Sequence, residues 1–194
     1  MVMITKYKYV WLVLLTLGLI GFWASLSLTV DYYRLLENPS YELACDINPI
    51  VSCGSVMESQ YAKVFGVPLS LGGVIAFGSL MLFSLGAFFG IKYKPWIWRA
   101  AQLAVIAGLL IAHYLFFVSV TILGSICPWC FTVWISTLGV AWIVTWYNAK
   151  SGNLALPKTE KWLAKNHAAL FVWWLAVLLI IILIQFRDYW RSLV

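Results

Sequence analysis

The chain has 194 residues, of which 63% are hydrophobic and 10% charged, with a net charge of +6. A soluble domain carries about 25% charged residues on a polar shell that every chain of this size needs, so a water-soluble globule is excluded and a bilayer is the environment that fits. The excess positive charge follows the loops between apolar stretches, where it sets topology, and speaks against a nucleic-acid partner.

The predicted fold class is an all-α integral membrane protein: a four-helix transmembrane bundle plus a fifth transmembrane helix, in a single membrane domain. The first span is predicted over 10–30. Its Ser25-Leu-Ser27 imitates a signal-peptide cleavage site, but the apolar core is long for a signal and four more spans follow. Residues 31–68 form a loop that carries Cys45 and Cys53. Asn48-Pro49 favours a turn between them, and a disulfide can close the seven intervening residues into a small ring. After the ring, 54–66 reads as a short amphipathic helix with Met57, Tyr61, Val64 and Phe65 at helical spacing, lying on the membrane like a lid.

The remaining spans are predicted at 69–89, 96–123, 128–147 and 168–186, each long enough for a hydrocarbon core of about 30 Å. Trp and Tyr cluster at their ends (Trp96 and Trp98, Trp146 and Tyr147, Tyr189 and Trp190), as the headgroup zone favours. Gly72, Gly73 and Gly78 suit close helix packing. His113 lies mid-span, where an ionisable residue is a functional candidate beside its plainer role as a bonded neutral imidazole.

Cys127-Pro-Trp-Cys130 opens the fourth span. Pro128 fits the first helical position, where its missing N–H costs nothing. Cys127 then stands at the cap and Cys130 in the first turn, where the positive end of the helix dipole favours thiolates. Cys130 is about 4.5 Å deeper along the axis. It is the better placed for a lipid-soluble oxidant, and Cys127 for another thiol.

Parity joins the two cysteine pairs. The loop 31–68 follows one crossing and the turn 124–127 follows three, so both belong on one face. An inside N-terminus assigns nine of the thirteen basic residues to the cytoplasm: Lys6, Lys8, Lys92, Lys94, Arg99, Lys150, Lys158, Lys161 and Lys165. Arg34, Lys63, Arg187 and Arg191 fall outside, with all acids except Glu160. The cysteine face is then extracytoplasmic, where disulfides persist. A mobile pair above a fixed pair is what sequential thiol–disulfide exchange requires. Structural zinc is a poor alternative, because C-x7-C with C-x2-C is not a finger spacing and no His is near. Inert disulfides in a membrane scaffold or small transporter are the non-enzymatic alternative.

The stretches Cys45-Asp-Ile-Asn-Pro-Ile-Val-Ser-Cys53-Gly-Ser-Val, Val64-Phe-Gly-Val-Pro-Leu-Ser-Leu-Gly72 and Cys127-Pro-Trp-Cys130 resemble the vitamin K epoxide reductase family, its bacterial members most closely, from the first span through the fourth. The resemblance implies a bundle that encloses a quinone (ubiquinone or menaquinone) near the C-x-x-C. It implies that Cys45 exchanges with a thioredoxin-like partner, Cys53 attacks Cys127, and Cys130 reduces the quinone. Asn48, Ser52, Phe65, Leu69 and Trp134 are candidate quinone contacts, with loop and turn structure the plainer role of Asn48 and Ser52 and packing or lipid contact that of Trp134, and no metal is expected. Vertebrate members carry an Asn where this chain has Leu69 and a Tyr where it has Trp134, so vitamin K epoxide is not the expected substrate. Some bacterial relatives fuse a thioredoxin-like domain after the fifth span. Only 187–194 follow it here, so a separate thioredoxin-like partner is expected, in a multi-pass protein of the inner or plasma membrane. Another bacterial thiol–quinone oxidase family has the two cysteine pairs in the reverse order.

Overall fold

The computed structural model of the chain describes residues 8–48, 50–153 and 159–187. Lys6, Pro49, Lys158 and residues 188–191 lie outside them, as do the side chains of Glu160, Lys161 and Lys165.

Helix α1 (Lys8–Glu37) continues past the expected end at Val30. No Gly or Pro interrupts 31–37, and Asp31 and Arg34 make an i,i+3 ion pair at 3.9 Å. Pro39 then stops the helix, since the residue before a proline disfavours helical backbone. The region expected as one amphipathic helix over 54–66 is instead three pieces. Helix α2 (Gly54–Glu58) ends at Ser59, whose ψ of 146° is extended, and a single 3-10 turn follows at Gln60–Ala62. Strands β1 (Lys63–Val64) and β2 (Val67–Pro68) then pair antiparallel. The correction has a backbone cause: Phe65 (φ 51°) and Gly66 (φ 81°) both adopt the left-handed conformation, which a two-residue hairpin loop demands and a helix cannot accommodate.

Helix α3 (Leu69–Phe88) descends from the hairpin. Helix α4 (Pro95–Phe117) returns and widens into a π turn at Val118–Leu123. Helix α5 (Pro128–Lys150) descends again, and α6 (Thr159–Gln185) follows. Proline occupies the first turn of α4 and of α5, where no intrahelical donor is lost. Four helices are long and apolar enough to cross a membrane: α1, α3, α4 with its π turn, and α5. The apolar run of α6 among the described residues, Ala169–Gln185, is shorter, roughly 25 Å at 1.5 Å per residue. Leu19, Leu82, Leu103 and Leu110 project outward and are exposed, as lipid-facing side chains are.

α1 packs against both α3 and α5, and α4 packs on α5. Small residues permit the α1–α3 approach. A Cβ at Gly21 would collide with the Phe77 ring, and one at Gly73 would lie 2.5 Å from Ser25 Oγ. Gly78 makes only ordinary contact with Phe22, and Gly72 is exposed with open space beside it, so neither sets the α1–α3 approach. α3 and α4, although consecutive, do not pack closely on each other. At the end opposite the cysteines, Asn148 is fully buried. Its Nδ2 donates to Trp98 O at 3.1 Å and Gln102 Oε1 at 3.0 Å, and its Oδ1 accepts from Asn153 Nδ2 at 3.1 Å. The network is satisfied within the protein, as buried amides in a low-dielectric interior must be.

Candidate functional site

Two short stretches of chain build the site, and their pairing sets its geometry. Gly124 ends the π turn in the left-handed conformation (φ 62°), which a side chain would disfavour. The chain folds back there: Ser125 N–H donates to Ser119 O at 3.1 Å, and Ser119 Oγ donates to Ser125 O. This presents Ile126 to the loop above. Ile126 N–H donates to Ile50 O at 2.6 Å, and its carbonyl accepts from Ser52 N–H at 3.2 Å. Val51 faces it in a parallel bridge. The hydroxyls of Ser55 and Ser125 add a bond of 2.8 Å. Both strands of this small junction lead directly into cysteines, Cys53 from one and Cys127 from the other.

Cys45 and Cys53 form a disulfide with Cα atoms 5.7 Å apart. Asn48 Oδ1 accepts from the N–H groups of Ile50 and Val51, at 2.9 and 2.8 Å, and so turns the loop between them. Asp46 Oδ1 accepts from Cys53 N–H at 2.6 Å and Gly54 N–H at 3.1 Å. A carboxylate from inside the ring thus satisfies donors at the start of α2, where Cys53 offers no side-chain cap. A Cβ at Gly54 would lie 2.8 Å from Asp46 Oδ2, so glycine leaves room for that carboxylate.

Cys127 is the N-cap of α5, and its Sγ accepts Cys130 N–H at 3.2 Å. Both thiols of the C-x-x-C are free. The Cys130 thiol, as hydrogen-bond donor, holds Cys127 below the ordinary thiol range. Burial works against this, the N–H groups of Cys130 and Trp129 support it, and the Asp46 carboxylate pushes the other way. Cys45, Cys53 and Cys127 share one buried cluster with Leu28, Tyr32, Leu43, Val56 and Met57, and Cys130 packs against it. Three of the four cysteines are nearly sealed from solvent.

Beneath the cluster is a cavity of about 820 Å³ between α1, α3, α4 and α5. Cys127 and Cys130 lie in its wall, and almost all its other lining is apolar. Trp134, one helical turn deeper than Cys130, lines it with its ring stacked on Phe116 (centroids 4.7 Å apart, planes at 11°). The Trp134 indole Nε1 is buried without a hydrogen-bond partner. Leu69, the first residue of α3, also lines the cavity, beside Ser70, which accepts from Thr29 Oγ1 at 2.9 Å.

The other candidate contacts are placed elsewhere. Asn48 is committed to the loop turn, and Ser52 Oγ accepts from Ser55 N–H at 3.2 Å. Neither lines the cavity. Phe65 is fully exposed at the hairpin tip, because the two left-handed residues carry it away from the bundle. Asp46 and Ile126 escaped sequence reading. An acid inside the C-x7-C ring and a lone apolar residue before the C-x-x-C were the signals available. Among the described residues, no three His, Cys, Asp or Glu side chains gather as metal ligands would.

Comparison with known families places the same segment. A family model described as "Vitamin K epoxide reductase family" matches residues 12–145, from the first turns of α1 almost to the end of α5. A comparison with curated proteins found no match.

Proposed function

We propose an electron relay for this chain, which belongs to the vitamin K epoxide reductase family and is accordingly a membrane thiol–disulfide oxidoreductase. Its outer pair, Cys45 and Cys53, accepts electrons from a separate thioredoxin-like protein, and its inner pair, Cys127 and Cys130, delivers them to a quinone in the bilayer. The observation that carries this reading is the apolar cavity with both C-x-x-C residues in its wall, directly below the disulfide loop.

The steps balance as thiol–disulfide exchange. A partner thiolate attacks Cys45, breaking the Cys45–Cys53 bond and releasing Cys53 as thiolate. The partner's second thiol then displaces Cys45 and leaves the partner as a disulfide. Cys53 attacks Cys127 of an oxidised inner pair, and Cys130 leaves as thiolate. Cys45 displaces Cys127, which restores the outer disulfide and leaves the inner pair as dithiol. Two electrons and two protons then pass from that dithiol to the quinone, giving the hydroquinone and the Cys127–Cys130 disulfide.

The cavity suits a lipid quinone on three counts. It is apolar, it lies between two helices that do not pack closely, and Trp134 in its wall carries a buried indole N–H without a partner, which a small turn of the ring would offer to a ring oxygen. In this reading the loop pair faces the extracytoplasmic side, the N-terminus is cytoplasmic, and α6 crosses as a fifth, shorter span. The test is anaerobic mixing of the protein with a reduced thioredoxin-like protein and either ubiquinone or menaquinone, following quinone absorbance. Loss of quinone absorbance in step with partner oxidation supports the relay. A protein that oxidises neither the partner nor dithiothreitol with any quinone is a scaffold with a structural disulfide.

A further inference from the structure

Helix α6 lies beyond the matched segment, which ends at residue 145, yet it packs behind the cavity wall, against residues that line the cavity. Leu178, 2% exposed, and Phe186 are buried in the cluster that holds Phe116 and Trp134. Between α6 and Trp134 stands His113. Its Nδ1 lies 2.8 Å from Leu109 O, and its Nε2 lies 3.0 Å from the indole Nε1 of Trp174. An indole nitrogen only donates, so Nε2 is the acceptor, and Nδ1 carries the proton and gives it to the carbonyl. Both ring nitrogens are thereby committed, which fixes the tautomer and the ring plane. A proton relay through His113 would have to break one of these bonds.

The fixed ring is a packing surface. His113 meets Trp134 edge-on, with centroids 5.8 Å apart and planes at 66°, and meets Trp174 on its other side at 5.5 Å. Phe116 stacks on Trp134, and Phe131 flanks it at 5.4 Å. Trp134 therefore has its orientation set from three directions, and one of them is locked by a hydrogen bond from α6.

We infer that α6 is part of the quinone site: the Trp174–His113 hydrogen bond positions Trp134 in the cavity wall and so sets affinity for the quinone. This rests on the quinone reading above. His113 and Trp174 are positioning residues and touch no reacting atom. In a bilayer a polar pair of this kind has few competing partners, because lipid chains offer none. The arrangement predicts binding effects without chemical ones, since the cysteines are untouched.

The experiment uses the full chain in detergent or nanodiscs, with dithiothreitol as reductant and quinone as varied substrate. Trp174→Phe keeps an aromatic ring and removes the N–H, while His113→Phe keeps a ring against Trp134 and removes both bonds. Each is expected to raise the quinone KM about fivefold, the order expected when one side chain must be ordered on binding, with kcat unchanged. The double variant is expected to be no worse than either single one, because both remove the same bond. Histidine-selective ¹⁵N spectra report the tautomer directly, as the chain has only two histidines, and Trp174→Phe should shift one of them. A lowered kcat with unchanged KM would mean a loss of folded protein only, and would overturn the inference. So would multiplicative effects in the double variant. Failure of the unsubstituted protein to reduce any quinone would instead overturn the quinone reading, and this inference with it.

Discussion

Val51 pairs with Ile126 in a parallel bridge, flanked by hydrogen bonds from Ile126 N–H to Ile50 O and from Ser52 N–H to Ile126 O. These bonds hold the stretch leading into Cys53 against the stretch leading into Cys127, and they do so without using the disulfide. When the Cys45–Cys53 bond opens, Cys53 still has this junction, the Asp46 carboxylate and the Ser55–Ser125 bond to keep it in place. That hold suits a cysteine that has to meet the inner pair.

Ile126→Pro tests the junction. It deletes the N–H that reaches Ile50 O and leaves every cysteine in the chain. Turnover with a thioredoxin-like protein is expected to fall about tenfold or more, since proximity of this kind carries large rate factors, while turnover with dithiothreitol is retained. Parallel kinetics with the two reductants measure it, and an equal loss with both would show that the bridge serves folding only.

Asp46→Asn separates charge from hydrogen bonding. The amide oxygen can still accept from Cys53 and Gly54 N–H, but the negative charge that raises Cys127 is gone. Cys127 then moves further below the ordinary thiol range, so its thiolate persists to lower pH. In the reduced protein, the pH midpoint for alkylation of Cys127 by a small reagent, followed by mass spectrometry, is expected to shift down. Asp46→Ala, which also removes the acceptor, should cost about 1 kcal/mol of local stability and loosen the loop to proteolysis. An upward shift in Asp46→Asn would contradict the electrostatic account.

The four long spans and the shared face of the cysteine pairs were legible because hydropathy and parity are properties of whole segments. α1 outran its apolar run since 31–37 lacks a breaker, and hydropathy alone does not mark where helix ends. The hairpin was missed because Met57, Tyr61, Val64 and Phe65 keep helical spacing, while the deciding fact is the left-handed backbone at Phe65 and Gly66. Gly66 before Val-Pro was the signal for it. Asn48 and Ser52 lie between or beside the loop cysteines, where a side chain can serve either the loop's own backbone or a ligand. Asn48 and Ser52 serve the backbone. The role of α6 could not be read, because the Trp174–His113 pair joins residues far apart in sequence.

Asn148→Ala tests the opposite end of the bundle. It strips partners from Trp98 O, Gln102 and Asn153. Interhelical polar contacts in membranes are worth about 0.6 to 1.7 kcal/mol, so thermal stability in detergent should fall by that order. The site is about 27 Å away along α5 at 1.5 Å per residue, so the KM for quinone should not change in the folded fraction. A changed KM with unchanged stability would mean that the network acts on the cavity.

Orientation is open to direct labelling. In intact cells, a membrane-impermeant thiol reagent should modify Cys45 after mild reduction, as the bias of basic residues towards the other face requires. Modification seen only after the membrane is opened would place the loop in the cytoplasm and reverse the topology.

The relay itself predicts distinct trapped species. Cys53→Ser leaves Cys45 as a lone thiol, so it should displace a small thiol from a one-thiol thioredoxin-like partner presented as its mixed disulfide with that small thiol, and the Cys45–partner disulfide should accumulate because no second thiol resolves it. Cys130→Ser leaves Cys127 without its inner mate, and Cys53 stands in the same buried cluster, so the Cys127 thiolate should attack the loop disulfide at Cys53 and release Cys45 as thiol, giving a Cys53–Cys127 bridge visible as a linked peptide by mass spectrometry. Cys130→Ser should also abolish quinone reduction with either reductant, because no inner disulfide can form. Cys45→Ser and Cys53→Ser should block electrons from the protein partner yet spare a small dithiol that reaches the C-x-x-C directly. The decisive comparison is turnover with dithiothreitol beside turnover with the partner in these loop variants. An equal loss with both would mean that the outer pair only braces the loop over the cavity, and the order of exchange from Cys45 to Cys130 would have to be given up.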